Sequence, residues 1–123
     1  EVIAKYNVVS APVAARMALG AAAASGSDIA VSVTGVAGPT GGDEVRPVGT
    51  VYLGAARGDT VYVQKLFVSR PDRALVRARA AQAALALALR LAQGKVPAHT
   101  KPLAASQHSA AALDALNEAF LAE

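Results

Sequence analysis

The chain has 123 residues, which is enough for one compact domain and too short for two ordinary ones. Hydrophobic residues make up 54% of the sequence and charged residues 17%, a balance that argues against a disordered chain. Cysteine is absent, which excludes disulfides, Cys-ligated zinc, iron–sulfur clusters and thiol catalysis and is compatible with a reducing, cytoplasmic compartment. No apolar run reaches the ~20 residues that a membrane-spanning helix needs.

Positive charge is concentrated in the middle of the chain. The net charge is +3, but residues 57–101 carry nine basic and two acidic side chains, whereas residues 102–123 carry three acidic and no basic ones. A basic stretch can face nucleic acid, but this one contains only two aromatic residues, Tyr62 and Phe67, and lacks a recognised nucleic-acid-binding motif. The sequence therefore favours a small anionic ligand or a solvated surface over nucleic acid.

The first predicted elements are a helix and a strand. Ser10 is a suitable N-cap, Pro12 fits the first helical turn, and Gly26 is a suitable stop. Residues 29–34 are rich in β-branched side chains and nearly uncharged, which is typical of a strand buried on both faces. A buried strand after a helix predicts an α/β fold with a parallel sheet between helices.

A loop and a β-hairpin follow. Residues 35–42 contain too much Gly and Pro for a helix or a strand. Residues 48–56 and 60–68 are predicted strands of a hairpin over 48–68, and Arg57-Gly58-Asp59 is its turn. Arg-Gly-Asp also resembles an adhesion tripeptide, but the spacing favours the turn.

Two further helices are predicted. Ser69 and Asp72 have capping-box spacing at the start of a long helix that ends at Gly94. Its inner stripe is Val76, Ala80, Ala83, Leu87 and Leu91. Residues 95–108 contain two prolines and are interpreted as a linker. A last helix at about 109–121 carries Leu113, Leu116 and Phe120 on one face.

The segment Thr34–Gly42 is the first candidate for binding chemistry. Ligands of open α/β sheets bind beyond the carboxyl ends of the strands. Four glycines in nine residues let backbone N–H groups approach an anion. The spacing fits neither a P-loop nor a dinucleotide fingerprint, and a purely structural loop is an equal alternative.

Three arginines at the start of the long helix are the second candidate. Arg70, Arg73 and Arg77 crowd a helix N-terminus, where the dipole is already positive. A bound phosphate or carboxylate would relieve this repulsion, whereas the alternative is that all three point into water. His99 and His108 have no accompanying carboxylates, so the sequence does not favour a metal site or a general base there.

Several segments resemble, in order and spacing, the C-terminal domain of the CinA family, also called the nicotinamide-nucleotide amidase family. The similarity covers about residues 1–91. The segments are Val8-Val9-Ser10, Val31-Ser32-Val33-Thr34-Gly35-Val36-Ala37-Gly38-Pro39, Gly41-Gly42, Arg46-Pro47-Val48-Gly49-Thr50-Val51-Tyr52, and Asp72-Arg73 and Val76-Arg77 with Ala80, Ala84 and Leu85.

The resemblance implies a three-layer α/β/α sandwich with a mixed sheet. It implies hydrolysis of nicotinamide mononucleotide to nicotinate mononucleotide and ammonia in pyridine-nucleotide salvage, with no metal or cofactor. It places Thr34, Gly35 and Gly38 in the substrate site and makes Arg73 and Arg77 the phosphate contacts.

The resemblance transfers no catalytic residue. The family's serine lies in a Ser-Cys-Thr-Gly-Gly stretch and its tyrosine and lysine in a Tyr-Ser-Asn…Lys stretch, and neither stretch is present. We therefore interpret residues 1–94 as the C-terminal portion of an incomplete amidase domain, and 95–123 as a linker plus an extra helix. A non-catalytic nucleotide-binding or assembly module is the alternative. An uncovered sheet edge predicts a homo-oligomer.

Overall fold

The computed structural model describes residues 6–70, 72–104 and 109–122. Three helices and four strands alternate along them. In chain order they are α1 (Ala11–Ser25), β1 (Ile29–Gly35), β2 (Thr50–Arg57), β3 (Thr60–Phe67), α2 (Arg73–Ala92), β4 (Lys101–Ala104) and α3 (Ala110–Leu121).

The four strands form one sheet in the order β1-β2-β3-β4. Every neighbouring pair among the described strands is antiparallel, so the parallel pairing expected from the sequence is wrong. The reason is topological: the loop after β1 returns the chain directly alongside it, whereas a parallel pair needs a crossover. Strand β1 is an edge of this sheet, and Val33 is 41% exposed rather than buried on both faces.

Helices cover both faces of the sheet, so the predicted α/β/α layering is confirmed. Alternate residues of β2 point to opposite faces, as the pleat requires. Tyr52 and Ala56 face α1 and α3 in one hydrophobic cluster. Leu53 and Ala55 face α2 in a second cluster.

Helix α1 approaches the sheet closely because the residues at the contact are small. The Ser32 hydroxyl of β1 donates a hydrogen bond of 2.6 Å to the carbonyl oxygen of Ala14. A Cβ atom at Gly54 would lie 2.5 Å from that same oxygen. A larger residue at position 54 would push the helix away from the sheet.

The helix starts were predicted correctly for α1 and incorrectly for α2. Ser10 caps α1, where its hydroxyl accepts from Val13 N at 3.4 Å, and Gly26 ends it with a φ of 68°. The cap of α2 is Asp72, whose carboxylate accepts from Ala74 N at 2.9 Å. Because Asp72 is itself extended, Ser69 lies outside the helix and the predicted capping box is not formed.

The predicted hairpin is confirmed, but its turn is shorter than predicted, because Arg57 is the last residue of β2 and pairs with Thr60, which leaves Gly58 and Asp59 as the tip. The predicted linker is wrong in part, since Lys101–Ala104 forms β4 against β3. Leu103 is buried opposite Val61, and Pro102 is tolerated because β4 is an edge strand.

The last predicted helix is confirmed as α3. Leu113, Leu116 and Phe120 are buried, and the Phe120 ring meets Tyr52 edge-on at a centroid distance of 5.7 Å. Helix α3 therefore completes the core over one face of the sheet. Within the part of the chain that the structure describes, no helix has the length and apolar character needed to cross a membrane.

Candidate functional site

A cavity of about 360 Å³ lies where β1 ends. It is open to solvent and is lined by residues 7–9 before α1, by the loop between β1 and β2, and by the first residue of α2. Its lining residues are Asn7, Val8, Val9, Gly35, Val36, Ala37, Gly38, Thr40, Gly41, Asp43, Arg46 and Arg73. The volume is within the range of small-molecule sites, roughly 300–1,000 Å³.

The loop between the strands is closed by its own backbone. Val36 N donates to Thr50 O at 2.8 Å, and Gly49 N donates to Val36 O at 2.8 Å. Farther along, the Asp43 carboxylate accepts from Arg46 N at 2.6 Å, while Asp43 N donates to Arg46 O at 3.1 Å. The loop is therefore a folded structure with fixed ends and a closed tip.

Gly38 is required for the shape of this loop. Its φ is +87°, a conformation that L side chains rarely adopt, and an added Cβ would lie 2.5 Å from Val48 Cγ1. Gly35 is also confined, because an added Cβ would lie 2.9 Å from Thr50 O. The packing of the loop against Val48 and Thr50 consequently excludes a side chain at both positions, and both glycines border the cavity.

Arg46 joins the loop to the segment before α1. Its Nη2 donates to Tyr6 O at 2.7 Å, and its Nε donates to Val9 O. The side chain thus connects two walls of the cavity, the loop between β1 and β2 and the segment before α1. Arg46 is half-buried, and two of the five N–H donors of its guanidinium are bound to these backbone carbonyls.

Side-chain donors hold residues 6–9, which directly precede the Ser10 cap of α1. Thr34 Oγ1 donates to Val8 O at 2.8 Å, and Ser10 Oγ donates to Asn7 O at 2.9 Å. With the two carbonyls bound by Arg46, four consecutive carbonyl groups of residues 6–9 have side-chain donors. Asn7 has a φ of 81°, which asparagine tolerates better than most residues.

Arg73 brings a positive charge to the cavity. As the first residue of α2, it reaches the loop, where its Nη1 donates to Gly38 O at 3.2 Å. Its side chain is exposed enough for other donors of the guanidinium to face a ligand. A glycine-rich backbone and a guanidinium thus border the same space, an arrangement suited to an anion.

Comparison with known proteins identifies the family of the chain. The family model of the CinA C-terminal domain matches residues 1–92. The chain belongs to the CinA C-terminal domain family.

The CinA relatives are longer than this chain. It is similar to a CinA-like protein of Geobacter sp. strain M21, with 52% identity over 75 residues that are 61% of this chain and 18% of the relative. It is also similar to the nicotinamide-nucleotide amidohydrolase PncC of Escherichia coli K12, with 44% identity over 69% of this chain and 52% of the relative. The chain thus spans about a fifth of the length of the Geobacter protein and about half of the length of PncC.

A solved CinA-superfamily structure has the same fold. The competence/damage inducible protein CihA of Agrobacterium tumefaciens superposes with a TM-score of 0.72 and 34% identity, covering 76% of this chain and 57% of that one. The matched family segment ends before β4 and α3 begin. Both elements nevertheless belong to the same core as α1, and the Tyr6 hydroxyl donates to the Asp114 carboxylate of α3.

Three of the five site residues predicted in this CinA domain border one cavity: Gly35, Gly38 and Arg73. Thr34 does not line it; the side chain is 9% exposed and supports the wall through Val8. Arg77 lies one turn beyond Arg73, is exposed and is not in the lining. Its role as a phosphate contact stays a prediction.

Arg46 and Asn7 line the cavity although neither was predicted as a site residue. Arg46 stands in the Arg-Pro-Val-Gly stretch that carries the family resemblance, so a signal for it existed. Asn7 precedes the Ser10 cap and gave no comparable signal.

Other parts of this CinA domain offer less chemistry. Among residues 6–70, 72–104 and 109–122 there is no cluster of three or more metal-ligating side chains. His108 lies outside the described residues. A larger cleft of about 840 Å³ lies at the opposite end of β1, lined mainly by small and apolar residues with Asp28 and Arg57.

Proposed function

We propose that this cavity binds the phosphorylated nucleotide of nicotinamide, as part of a nicotinamide-nucleotide amidase domain. The observation that carries the proposal is the hydrogen bond from Arg73 to Gly38 O, which puts a cation beside the glycine loop. The kinship with PncC, a nicotinamide-nucleotide amidohydrolase, supports this substrate class.

The residues of the cavity have complementary tasks in this proposal. The guanidinium of Arg73 contacts the phosphate, because its planar donors match phosphate oxygens. Gly35 and Gly38 let the ligand approach the backbone. Arg46 keeps the opposite wall in place through Tyr6 O and Val9 O, so the site is formed before the ligand binds.

Hydrolysis needs groups beyond those assigned here. A serine hydroxyl activated by a base attacks the carboxamide carbon, the C–N bond breaks, and the nitrogen leaves as ammonia after taking a proton; water then cleaves the acyl-serine ester, which releases the nicotinate nucleotide and restores the hydroxyl. The Ser-Cys-Thr-Gly-Gly and Tyr-Ser-Asn…Lys stretches that the family resemblance associates with these groups are absent from the 123 residues. We propose that these residues bind the nucleotide and do not hydrolyse it unaided.

Calorimetry with nicotinamide mononucleotide tests the binding site. Arg73→Ala is expected to weaken binding about tenfold or more, because a charge-assisted hydrogen bond contributes about 1.5–3 kcal/mol. Arg79→Ala is the matched control, since it removes the same charge from an exposed position of α2 outside the cavity lining. Absence of binding by the unchanged chain, or equal losses in the two variants, contradicts the proposal.

Arg77→Ala tests the remaining predicted contact. If Arg77 touches the phosphate, its loss weakens binding as the Arg73 substitution does. If Arg77→Ala binds nicotinamide mononucleotide as tightly as the control Arg79→Ala does, Arg77 does not contact the phosphate and Arg73 is the contact that remains.

An ammonia assay with the same nucleotide tests the catalytic part. We expect no release above the uncatalysed rate from the chain alone. Release comparable to that of an intact amidase would contradict this expectation and require another nucleophile. A non-catalytic nucleotide-binding or assembly module is the second candidate, favoured by the presence of the loop and Arg73 without the nucleophile stretch.

A further inference from the structure

An acidic side chain lines the same cavity as Arg73. The charged residues of the lining are Asp43, Arg46 and Arg73, so one carboxylate lies among two guanidinium groups. A carboxylate repels the phosphate that the cavity is proposed to bind. A site for a phosphate alone therefore does not account for both signs of charge in one cavity.

The turn that Asp43 forms needs an oxygen atom and does not need a charge. Its Oδ1 accepts from Val45 N at 2.9 Å and from Arg46 N at 2.6 Å. An asparagine oxygen forms the same kind of turn with backbone N–H groups. Among the described residues, no hydrogen bond or ion pair uses the second oxygen of Asp43, Oδ2, and the side chain is exposed. The negative charge is thus available to a ligand.

The loop gives Asp43 and Arg73 defined positions. Arg73 donates to Gly38 O at 3.2 Å, and Asp43 directly follows Gly42. Both glycines pack against Val48. An added Cβ would lie 2.5 Å from Val48 Cγ1 at Gly38 and 2.6 Å from Val48 N at Gly42. The loop is therefore packed beside both charged groups, and their arrangement exists before a ligand binds.

The neighbouring charged residues do not duplicate Asp43. The Arg46 guanidinium donates to Tyr6 O and Val9 O, and within the described part of the chain no ion pair joins it to Asp43. Glu44 is exposed and lies outside the cavity lining. Asp43 is consequently the carboxylate in position to meet a cationic group of a ligand held by Arg73.

We propose that Asp43 recognises the positively charged ring of the nucleotide while Arg73 binds its phosphate. The ring nitrogen of nicotinamide mononucleotide carries a positive charge, because its bond to the ribose makes the ring a pyridinium. The ligand thus has a cation and an anion at separate ends, which is complementary to a cavity with one carboxylate and one accessible guanidinium.

This inference rests on the proposed function and adds a specificity to it. Reduction of the nucleotide gives dihydronicotinamide mononucleotide, whose ring is neutral, while its phosphate, ribose and carboxamide are unchanged. Asp43 attracts the oxidised ring and has no charge to attract in the reduced one. The site therefore selects the oxidised form of the nucleotide over the reduced form.

Calorimetry of the full chain with the oxidised and the reduced nucleotide tests this preference. We expect the oxidised form to bind about fivefold more tightly, which is the size expected of one partly exposed pair of opposite charges. Asp43→Asn should abolish the preference and leave the affinity for the reduced form nearly unchanged, because asparagine keeps the oxygen that forms the turn. Thermal denaturation followed by circular dichroism confirms that this variant is folded.

Two further variants separate the role of Asp43 from other effects. Glu44→Gln removes the same charge from the adjacent position and should keep the fivefold ratio. Arg73→Ala should weaken both forms alike, because it acts on the phosphate, and should also keep the ratio.

Three results would overturn the role of Asp43. Equal affinity of the unchanged chain for the two forms, or a loss of preference in Glu44→Gln as large as in Asp43→Asn, would do so without contradicting the phosphate site at Arg73. Absence of binding of both forms would overturn the proposed function together with it.

Discussion

The guanidinium group of Arg46 holds two parts of the cavity wall together. Arg46 binds Tyr6 O and Val9 O, two carbonyls 40 and 37 residues away in sequence. Thr34 and Ser10 are further side-chain donors to this segment, and they bind Val8 O and Asn7 O, not the two carbonyls that Arg46 binds. Arg46 is therefore a positioning residue for the proposed site.

Replacement of Arg46 by methionine should destabilise the fold. We expect a loss of about 1–3 kcal/mol in the free energy of unfolding, because two part-buried carbonyls lose their donor. Urea denaturation followed by circular dichroism measures it. Arg16→Met, at an exposed position of α1, should change stability by less than about 0.5 kcal/mol. Equal effects of the two substitutions would show that the Arg46 contacts do not support the fold.

Two glycines of the chain should respond to alanine in opposite directions. Gly38→Ala is expected to destabilise the protein by about 1 kcal/mol or more and to weaken nucleotide binding, because the φ is positive and Val48 occupies the Cβ position. Gly20→Ala, inside α1 with nothing within 4 Å of the added Cβ, should stabilise it by about 0.5–1 kcal/mol. Thermal denaturation and calorimetry separate the two effects, and a stabilising Gly38→Ala would contradict the loop geometry.

Among the secondary-structure elements, α3 extends the core beyond the segment matched by the family model. Phe120 meets the Tyr52 ring, and Lys101 of β4 lies 5.3 Å from the Phe120 ring centroid. Through Tyr6 and Asp114 the helix also contacts the segment that forms the cavity wall. The helix is thus part of the same packed unit as α1 and the sheet.

Substitution of Phe120 by alanine tests whether α3 belongs to the cooperative core. We expect a loss of about 3–5 kcal/mol for the whole-chain unfolding transition, since Phe120 is 2% exposed. Leu121→Ala, at a neighbouring position that is 42% exposed, should cost less than half as much. Fraying of α3 alone, with the main transition unmoved, would contradict a shared core.

For the molecule as a whole, the excess positive charge is compatible with a nucleotide or with nucleic acid, and the salt dependence of binding distinguishes these two ligands. A single nucleotide phosphate at Arg73 releases few counterions. We expect the affinity for nicotinamide mononucleotide to fall less than about tenfold between 50 and 200 mM salt, whereas a protein contacting 6–10 phosphates loses roughly 10³–10⁵. Calorimetry at both salt concentrations, with an oligonucleotide as comparison, measures this. Tighter, steeply salt-dependent oligonucleotide binding would favour the nucleic-acid alternative.

The helices, the hairpin and the glycine loop could be predicted from the sequence because local patterns specify them. Ser10 and Gly26 delimit α1 through hydrogen bonds within four residues. The hairpin follows from two alternating segments around a short turn. Strand β4 could not be predicted this way, because Pro102 argues locally against a strand and only its pairing with β3 explains it.

Contacts between distant residues decided the rest. Strand direction depends on where the loop after β1 returns the chain, which no local pattern states. The sequence predicts the same phosphate-binding role for Arg73 and Arg77. In the structure Arg73 donates to Gly38 O, 35 residues away, whereas Arg77 does not line the cavity. Local sequence patterns therefore specified the elements and the family. The packing of those elements decided that Arg73 lies at the cavity, that Arg46 binds Tyr6 O and Val9 O, and which side of α2 is exposed. The physical reason is that local patterns encode bonds within a turn or a strand, and a binding site is assembled from separate segments.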